Sequence, residues 1–150
     1  MATGKSTLLW GGLSPGDLVV VDTAPWIYLL EDNARFAPLF EGLFVAAEKG
    51  QLQLALSSVT LAELLVGPIK HGRDALAKRY EKALTAFEII PISAEIAVTA
   101  ARLRAGTGLR LPDALQAATA LERSAAALVT HDRDFSKLAG LRVLMGETRR

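Results

Sequence analysis

The sequence predicts an α/β fold in which helices flank both faces of a central parallel β-sheet. Two observations support this prediction: short apolar runs recur along the chain, and stretches with helical periodicity separate them. The first run, residues 18–21, reads LVVV without alternating polar residues, which is typical of a strand buried on both faces. Strands that alternate with helices form parallel sheets, because each helix carries the chain back to the same end of the sheet.

The predicted strands follow the apolar runs in chain order. They span residues 18–21, 52–56, 87–92 and 127–130, with a less regular fifth run at 141–145. Apolar residues at helical spacing predict helices at residues 25–30, 36–49, 58–70, 73–86, 94–104 and 112–123. The last helix starts with Pro112, a residue suited to the first helical position. Ligands of such folds bind at the carboxyl ends of the strands, so the residues that follow each strand are candidate functional residues.

The composition is that of a folded domain. The chain has 150 residues, of which 51% are hydrophobic and 22% charged, which excludes intrinsic disorder, collagen and a simple coiled coil. There is no cysteine and there are only two histidines, so disulfides, thiolate zinc sites and cysteine nucleophiles are excluded. A catalytic metal would have to be held by oxygen ligands.

The sequence predicts no membrane association. No apolar run approaches the roughly 20 residues that a helix needs to cross a bilayer. The first 17 residues lack the apolar core of a secretory signal peptide. We therefore expect the protein to be cytoplasmic.

Isolated carboxylates stand out in the apolar segments. Asp22, Glu63 and Asp113 are the only charged residues within residues 18–30, 51–69 and 111–121, respectively. The uncharged fourth strand runs directly into Asp132 and Asp134. Buried carboxylates are costly unless they are paired or bound to metal, and no Lys or Arg lies in the same three segments. We therefore expect no side-chain cation to offset these acids.

Each acid also has a purely structural interpretation. Asp22 suits a capping position, and Asp113 in the first turn of a helix suits the helix dipole. Glu63 suits a solvent-facing position, although the neighbouring Ala62 and Val66 favour partial burial. Two further acids suit an ordinary loop; they are Asp132 and Asp134.

Taken together, the acids favour a metal site. Several carboxylates at one point repel each other and have raised pKa values until a cation binds. Oxygen ligands suit Mg²⁺ or Mn²⁺, either of which activates water for attack on a phosphodiester. The hydroxyl groups of Thr23 and Thr130 are candidates to orient the ligands, although capping or strand-end hydrogen bonding explains them equally well.

The acids lie in four motifs: VVVDT at 19–23, SVTLAELLVG at 58–67, LPDALQAA at 111–118 and LVTHDRDF at 128–135. With these motifs the chain resembles, from about residue 18 to residue 144, the PIN-domain ribonucleases, and among them the VapC-type toxins of toxin–antitoxin pairs. Each motif is weakly specific by itself, whereas all four in this order are quite specific. His131 lies where the family often has Asn or Arg, so we assign it no role.

The resemblance implies a PIN-like fold and endonucleolytic cleavage of RNA that depends on Mg²⁺ or Mn²⁺. It implies that four acids are catalytic and bind the metal, namely Asp22, Glu63, Asp113 and Asp132. It further implies that Asp134 is an auxiliary metal ligand. It also implies a homodimer that a cognate antitoxin protein holds inactive. On this interpretation, residues 1–17 form a leader and residues 18–150 the nuclease domain.

The sequence also contains partial signals of three other functions. The Gly4–Thr7 segment suggests a phosphate-binding loop, but neither the earlier glycine of that motif nor a preceding strand is present. A haloacid-dehalogenase-type phosphatase needs a second Asp two residues after Asp22, where this chain has Ala24. A degenerate PIN domain that only binds RNA or protein stays open, although such domains usually lack one or more of the acids.

The charge distribution suggests where RNA binds. The net charge is +1, yet residues 70–110 hold eight Lys or Arg against four Asp or Glu. The candidate phosphate contacts are Lys70, Arg73, Arg102, Arg104 and Arg110. Solvated helix faces explain most of these residues better, and the two that most closely precede Asp113, Arg104 and Arg110, are the strongest candidates.

Overall fold

The computed structural model describes residues 8–146 and has the predicted α/β fold. Its strands are β1 (Leu18–Val21), β2 (Gln53–Ser57), β3 (Glu88–Ile90), β4 (Ala127–Val129) and β5 (Val143–Leu144). Its helices are α1 (Thr23–Leu30), α2 (Ala37–Glu48), α3 (Ser58–Lys70), α4 (Asp74–Leu84), α5 (Ala94–Thr107) and α6 (Leu111–Glu122). The strands form one sheet in the order β3-β2-β1-β4-β5, and all neighbouring pairs are parallel. Within residues 8–146, no helix is both long and apolar enough to cross a membrane.

The predicted elements are all present; β1 and α3 have their predicted bounds, and the others differ at one or both ends. Helix α3 starts at residue 58 because the Ser57 hydroxyl group accepts a hydrogen bond from the Thr60 amide at 3.2 Å. Ser93 caps α5 in the same way. That helix continues three residues beyond its predicted end and stops at Gly108, whose φ of 74° suits a glycine.

The alternating side chains of β1 divide the core between the two faces of the sheet. Val19 and Val21 pack on one face with Trp26 and Phe40, from helices α1 and α2. Val20 packs on the other face with apolar residues of α5 and α6. All three valines are fully buried, as the uninterrupted apolar run predicts for a central parallel strand.

The strand order places a topological switch between β1 and β4. From β1 the chain crosses to β2 and β3 on one side, whereas β4 and β5 lie on the other side. The Asp22 amide donates a hydrogen bond to the Val129 carbonyl at 2.8 Å, so the pairing of these strands continues to their carboxyl ends. A crevice at such a switch is the usual binding site of an open parallel sheet.

Part of the predicted leader packs against the domain. The Trp10 indole donates a hydrogen bond to the Leu39 carbonyl at 3.1 Å, and its ring centroid lies 5.9 Å from that of Phe40. Leu13 is fully buried in the core. Residues 1–7, which include the Gly4–Thr7 segment, lie outside the described residues. The division at residue 18 stays a prediction.

Candidate active site

The carboxyl ends of β1 and β4 open into a cavity of about 490 Å³ that four of the predicted acids line. Asp22 directly follows β1, and Asp132 lies just beyond β4. Helix α3 carries Glu63, and the first turn of α6 carries Asp113. We call this space the acidic cavity. The structure thus brings together four side chains that are up to 110 residues apart in the sequence.

Asp134, the predicted auxiliary ligand, is exposed beside the acidic cavity. Its amide donates a hydrogen bond to Asp132 Oδ1 at 2.9 Å, at the start of a 3₁₀ turn. Its charge contributes to the raised pKa of Asp113, so the two carboxylates lie within electrostatic reach of each other.

Asp22 is the most strongly perturbed acid of the cavity. Its side chain is nearly buried, and burial raises its pKa from 3.8 to about 6. The Thr23 amide opposes this shift, and so does the Thr130 hydroxyl group, which donates a hydrogen bond to Asp22 Oδ2 at 2.8 Å. The negative charges of Asp113 and Glu63 raise the pKa of Asp22 further. Asp22 precedes α1 but makes no capping hydrogen bond with its side chain, so capping does not account for it.

Asp113 is equally buried, and burial raises its pKa as well. Arg110 opposes this shift, whereas the charges of Asp132 and Asp134 add to it. Arg110 Nε lies 3.3 Å from Asp113 Oδ2. The expectation that no cation offsets the acids is therefore wrong for Asp113: the cation lies just outside the apolar segment, within reach along the first helical turn. Arg110 is largely exposed, which limits the strength of this ion pair.

Glu63 is exposed, which agrees with the solvent-facing position and shows that the partial burial suggested by its neighbours is wrong. The next residue of α3, Leu64, faces the core, and Glu63 is left at the edge of the acidic cavity. The Thr23 hydroxyl group donates a hydrogen bond to Glu63 Oε1 at 3.0 Å. Thr23 and Thr130 thus each donate a hydrogen bond to one carboxylate, which is the geometry expected of hydroxyl groups that orient carboxylates.

Three buried polar residues behind the acidic cavity are absent from the sequence-based prediction. The Ser57 hydroxyl group donates to Gln116 Oε1 at 2.9 Å, and Gln116 Nε2 donates to Thr60 Oγ1. All three side chains are buried. Gln116 lies one turn after Asp113 in an otherwise apolar segment, and that position is the signal by which the sequence could have revealed it.

His131 belongs to the wall of the acidic cavity. Its Nδ1 lies within hydrogen-bond distance of Tyr28 Oη, at 2.8 Å, and Tyr28 also lines the cavity. The rings of Phe36 and Phe40 pack edge-on against the imidazole, with centroid distances of 5.1 and 5.8 Å. These contacts fix the ring beside Asp132.

The candidate RNA-binding residues separate into two groups. Arg110 lines the acidic cavity, as does Arg133, which the sequence-based prediction did not include. Arg104 is nearby and donates a hydrogen bond to the Leu109 carbonyl at 2.7 Å. The others lie elsewhere: Lys70 ends α3, Arg73 lines a depression with His71, and Arg102 lines one with Glu95 and Glu122.

The donors of the acidic cavity fit a hard divalent cation. All four acids provide oxygen, which Mg²⁺ and Mn²⁺ prefer, and the raised pKa values of Asp22 and Asp113 are ones that a cation would lower. Within residues 8–146, however, no three acidic or histidine side chains are close enough together to form a ready-made metal site. The acids would therefore have to draw closer around an ion.

Together, the sheet order and the carboxylates beyond β1 and β4 define an α/β domain with an acidic cavity at its topological switch. The chain belongs to the PIN domain family, whose model matches residues 19–141. The predicted resemblance is thereby confirmed. A comparison with curated proteins finds no significant match.

Solved structures share the fold. A toxin–antitoxin complex from Klebsiella pneumoniae contains a chain that is 31% identical, with 84% of this chain and 95% of that chain covered and a TM-score of 0.67. VapBC2 of Rickettsia felis, bound to a DNA fragment from its promoter, is 24% identical over 87% and 99% of the two chains, with a TM-score of 0.71. VapC20 of Mycobacterium tuberculosis, a sarcin-ricin loop cleaving toxin, is 18% identical over 83% and 98%, with a TM-score of 0.59.

Proposed function

We propose that the chain is an endoribonuclease that depends on Mg²⁺ or Mn²⁺. The observation that carries the proposal is that two nearly buried carboxylates, Asp22 and Asp113, line one cavity with Glu63 and Asp132. Burying acids together costs stability, and a bound cation removes that cost. Membership of the PIN domain family supports the same chemistry.

The four acids would hold the ion, with Asp134 as an auxiliary ligand. A bound Mg²⁺ or Mn²⁺ supplies Lewis-acid activation of water and of the phosphodiester. The protein's own contribution is to present ionised, oriented carboxylates. At pH 7 the Asp22 carboxyl, with a pKa of about 6, is mostly ionised. The hydroxyl groups of Thr130 and Thr23 orient Asp22 and Glu63.

Two arginines that line the acidic cavity would bind the RNA substrate. Arg110 and Arg133 line the acidic cavity and supply positive charge for the phosphates of the RNA strand. Arg110 also offsets the charge of Asp113. Arg104 donates a hydrogen bond to the carbonyl of Leu109, the residue that precedes Arg110.

We further propose that the chain is the toxin of a type II toxin–antitoxin pair. The complex from Klebsiella pneumoniae contains a chain that is 31% identical to this one over most of its length. On this proposal the chain forms a homodimer, and a cognate antitoxin protein holds it inactive. Its site of action is the cytoplasm, where its RNA substrate is found.

A substitution pair tests the nuclease assignment. Asp113→Asn removes a charge from the acidic cavity and should abolish RNA cleavage. Asp74→Asn is the matched control, because Asp74 is also an acid in the first turn of a helix but is exposed and outside the cavity. It should cleave at the wild-type rate. Full activity in Asp113→Asn would contradict the assignment.

A further inference from the structure

A chain of hydrogen bonds leads from the protein interior to Glu63. It starts at Ser57 at the end of β2, passes through Gln116 on α6, Thr60 on α3 and Thr23 on α1, and ends at the Glu63 carboxylate. Gln116 therefore links the segments that carry Asp22, Glu63 and Asp113. The first three members of the chain are buried, and only its far end reaches the surface.

Each hydrogen bond in this chain has only one possible donor. Each threonine hydroxyl group has one proton to donate. Thr23 uses its proton for Glu63 Oε1, so the contact between Thr23 and Thr60, at 3.1 Å, requires the Thr60 proton. Thr60 Oγ1 is then left as an acceptor, and the Gln116 amide fills that position.

The orientation of the Gln116 amide decides the direction of the whole chain. Ser57 Oγ accepts from the Thr60 amide, and its own proton goes to Gln116 Oε1. With the amide reversed, Thr60 would donate to Gln116, and the single Thr23 proton would have to serve both Thr60 and Glu63. Only the observed orientation provides a proton for every contact.

We propose that Gln116 is a positioning residue for Glu63, acting through the hydroxyl groups of Thr60 and Thr23; this inference rests on the proposed metal-dependent nuclease. Glu63 is exposed and, without a partner, its flexible side chain would sample many rotamers. The oriented Thr23 proton holds one carboxylate oxygen at the edge of the acidic cavity before any cation binds.

Mn²⁺ affinity in a set of variants tests the relay, with isothermal titration as the readout. Gln116→Met removes the amide at similar volume and should weaken Mn²⁺ binding about fivefold, the factor expected for one hydrogen bond. Thr60→Ser keeps the hydroxyl group and should bind as the wild type does. In a Thr23→Val background, where the relay is already cut, Gln116→Met should cause no further loss. An equal loss in both backgrounds, or no loss in either, would overturn the proposal.

Crystal structures of the metal-free variants separate this inference from the proposed function. In Gln116→Met the Glu63 carboxylate should leave Thr23, whereas in Thr60→Ser it should stay. If Gln116→Met does not fold, Thr60→Val cuts the chain at its next link and takes its place in both experiments. Unchanged Glu63 positions would overturn the inference. Displaced Glu63 in a protein whose wild type binds no Mn²⁺ would instead contradict the metal site alone.

Discussion

The Thr130 hydroxyl group donates a hydrogen bond to Asp22 Oδ2 at 2.8 Å and accepts one from the Asp132 amide at 3.0 Å. This single side chain thus connects the acids that follow β1 and β4. Thr130 is fully buried, so neither of its contacts can be replaced by bulk water. Together with the hydrogen bond from the Asp22 amide to the Val129 carbonyl, it holds the two acids across the topological switch.

Replacing Thr130 by Val should destabilise the fold by about 1–3 kcal/mol, the usual cost of leaving buried polar groups unpaired. The loss of this donor should also raise the pKa of Asp22 further. Urea denaturation at pH 7 measures the change. Thr130→Ser keeps the hydroxyl group and should recover most of the lost stability. A Thr130→Val variant as stable as the wild type would show that these hydrogen bonds do not stabilise the fold.

The metal-free protein should lose stability as the pH rises. The pKa of Asp22 is about 6 in the folded state against 3.8 in the reference state, so the folded state holds its proton more tightly. This contribution is fully present below pH 3.8 and is lost as the pH rises through 6. The contribution of Asp22 to the free energy of unfolding therefore falls by about 3 kcal/mol between low and high pH, at about 1.4 kcal/mol per pKa unit.

Asp22→Asn isolates this effect, because the amide oxygen still accepts from Thr130 but never ionises. In denaturation experiments with EDTA, the variant should be more stable than the wild type at pH 7.5, and the difference should vanish near pH 4. A variant that is less stable at pH 7.5 would contradict the raised pKa.

The apolar run LVVV was sufficient to predict β1, and helical periodicity was sufficient for the six helices, because these signals are local. Lone charges in apolar segments likewise indicated Asp22, Glu63 and Asp113, whose catalytic and metal-binding roles stay predictions. The role of Gln116 could not be predicted from local patterns, because its partners Ser57 and Thr60 are 59 and 56 residues away in the sequence. Such contacts exist only once α3 and α6 pack together.

The pairing of Arg110 with Asp113 was within reach of the sequence, since residues three apart face each other at the start of a helix. The sequence offered both a solvent-facing and a partly buried position for Glu63 and did not decide between them. Small neighbours such as Ala62 favour burial, but whether they face a partner or an open cavity depends on the packing of α1 beside α3. The burial of Leu13 could not be predicted from the sequence either, because the residues around it show neither strand nor helix periodicity.

Divalent metal should stabilise the folded protein. Mg²⁺ or Mn²⁺ at millimolar concentration should raise the Tm at pH 7.5, since the ion binds the carboxylates only where the fold brings them together. Asp22→Asn should abolish the shift. The absence of any shift in the wild type would indicate that the acidic cavity does not bind these ions.

Charge reversal at Arg104 and Arg110 should weaken RNA binding and reduce its salt dependence, because each lost phosphate contact lowers the salt slope by about one. Arg110 should account for most of the effect, since it lines the acidic cavity. Arg102→Glu is the control, because that residue lies in a separate depression beside Glu95 and Glu122. Unchanged affinity and salt slope in the Arg104→Glu/Arg110→Glu variant would contradict a role for either arginine.

The acidic cavity should cleave RNA with the help of a divalent cation. Incubation of total RNA with the purified protein, free of any bound antitoxin, tests it most directly. We expect discrete fragments with Mn²⁺, and no fragments with EDTA or with Asp22→Asn. Intact RNA under every condition from a well-folded protein, or equal cleavage by Asp22→Asn, would contradict it; the first of these results would instead favour a PIN domain that only binds RNA or protein.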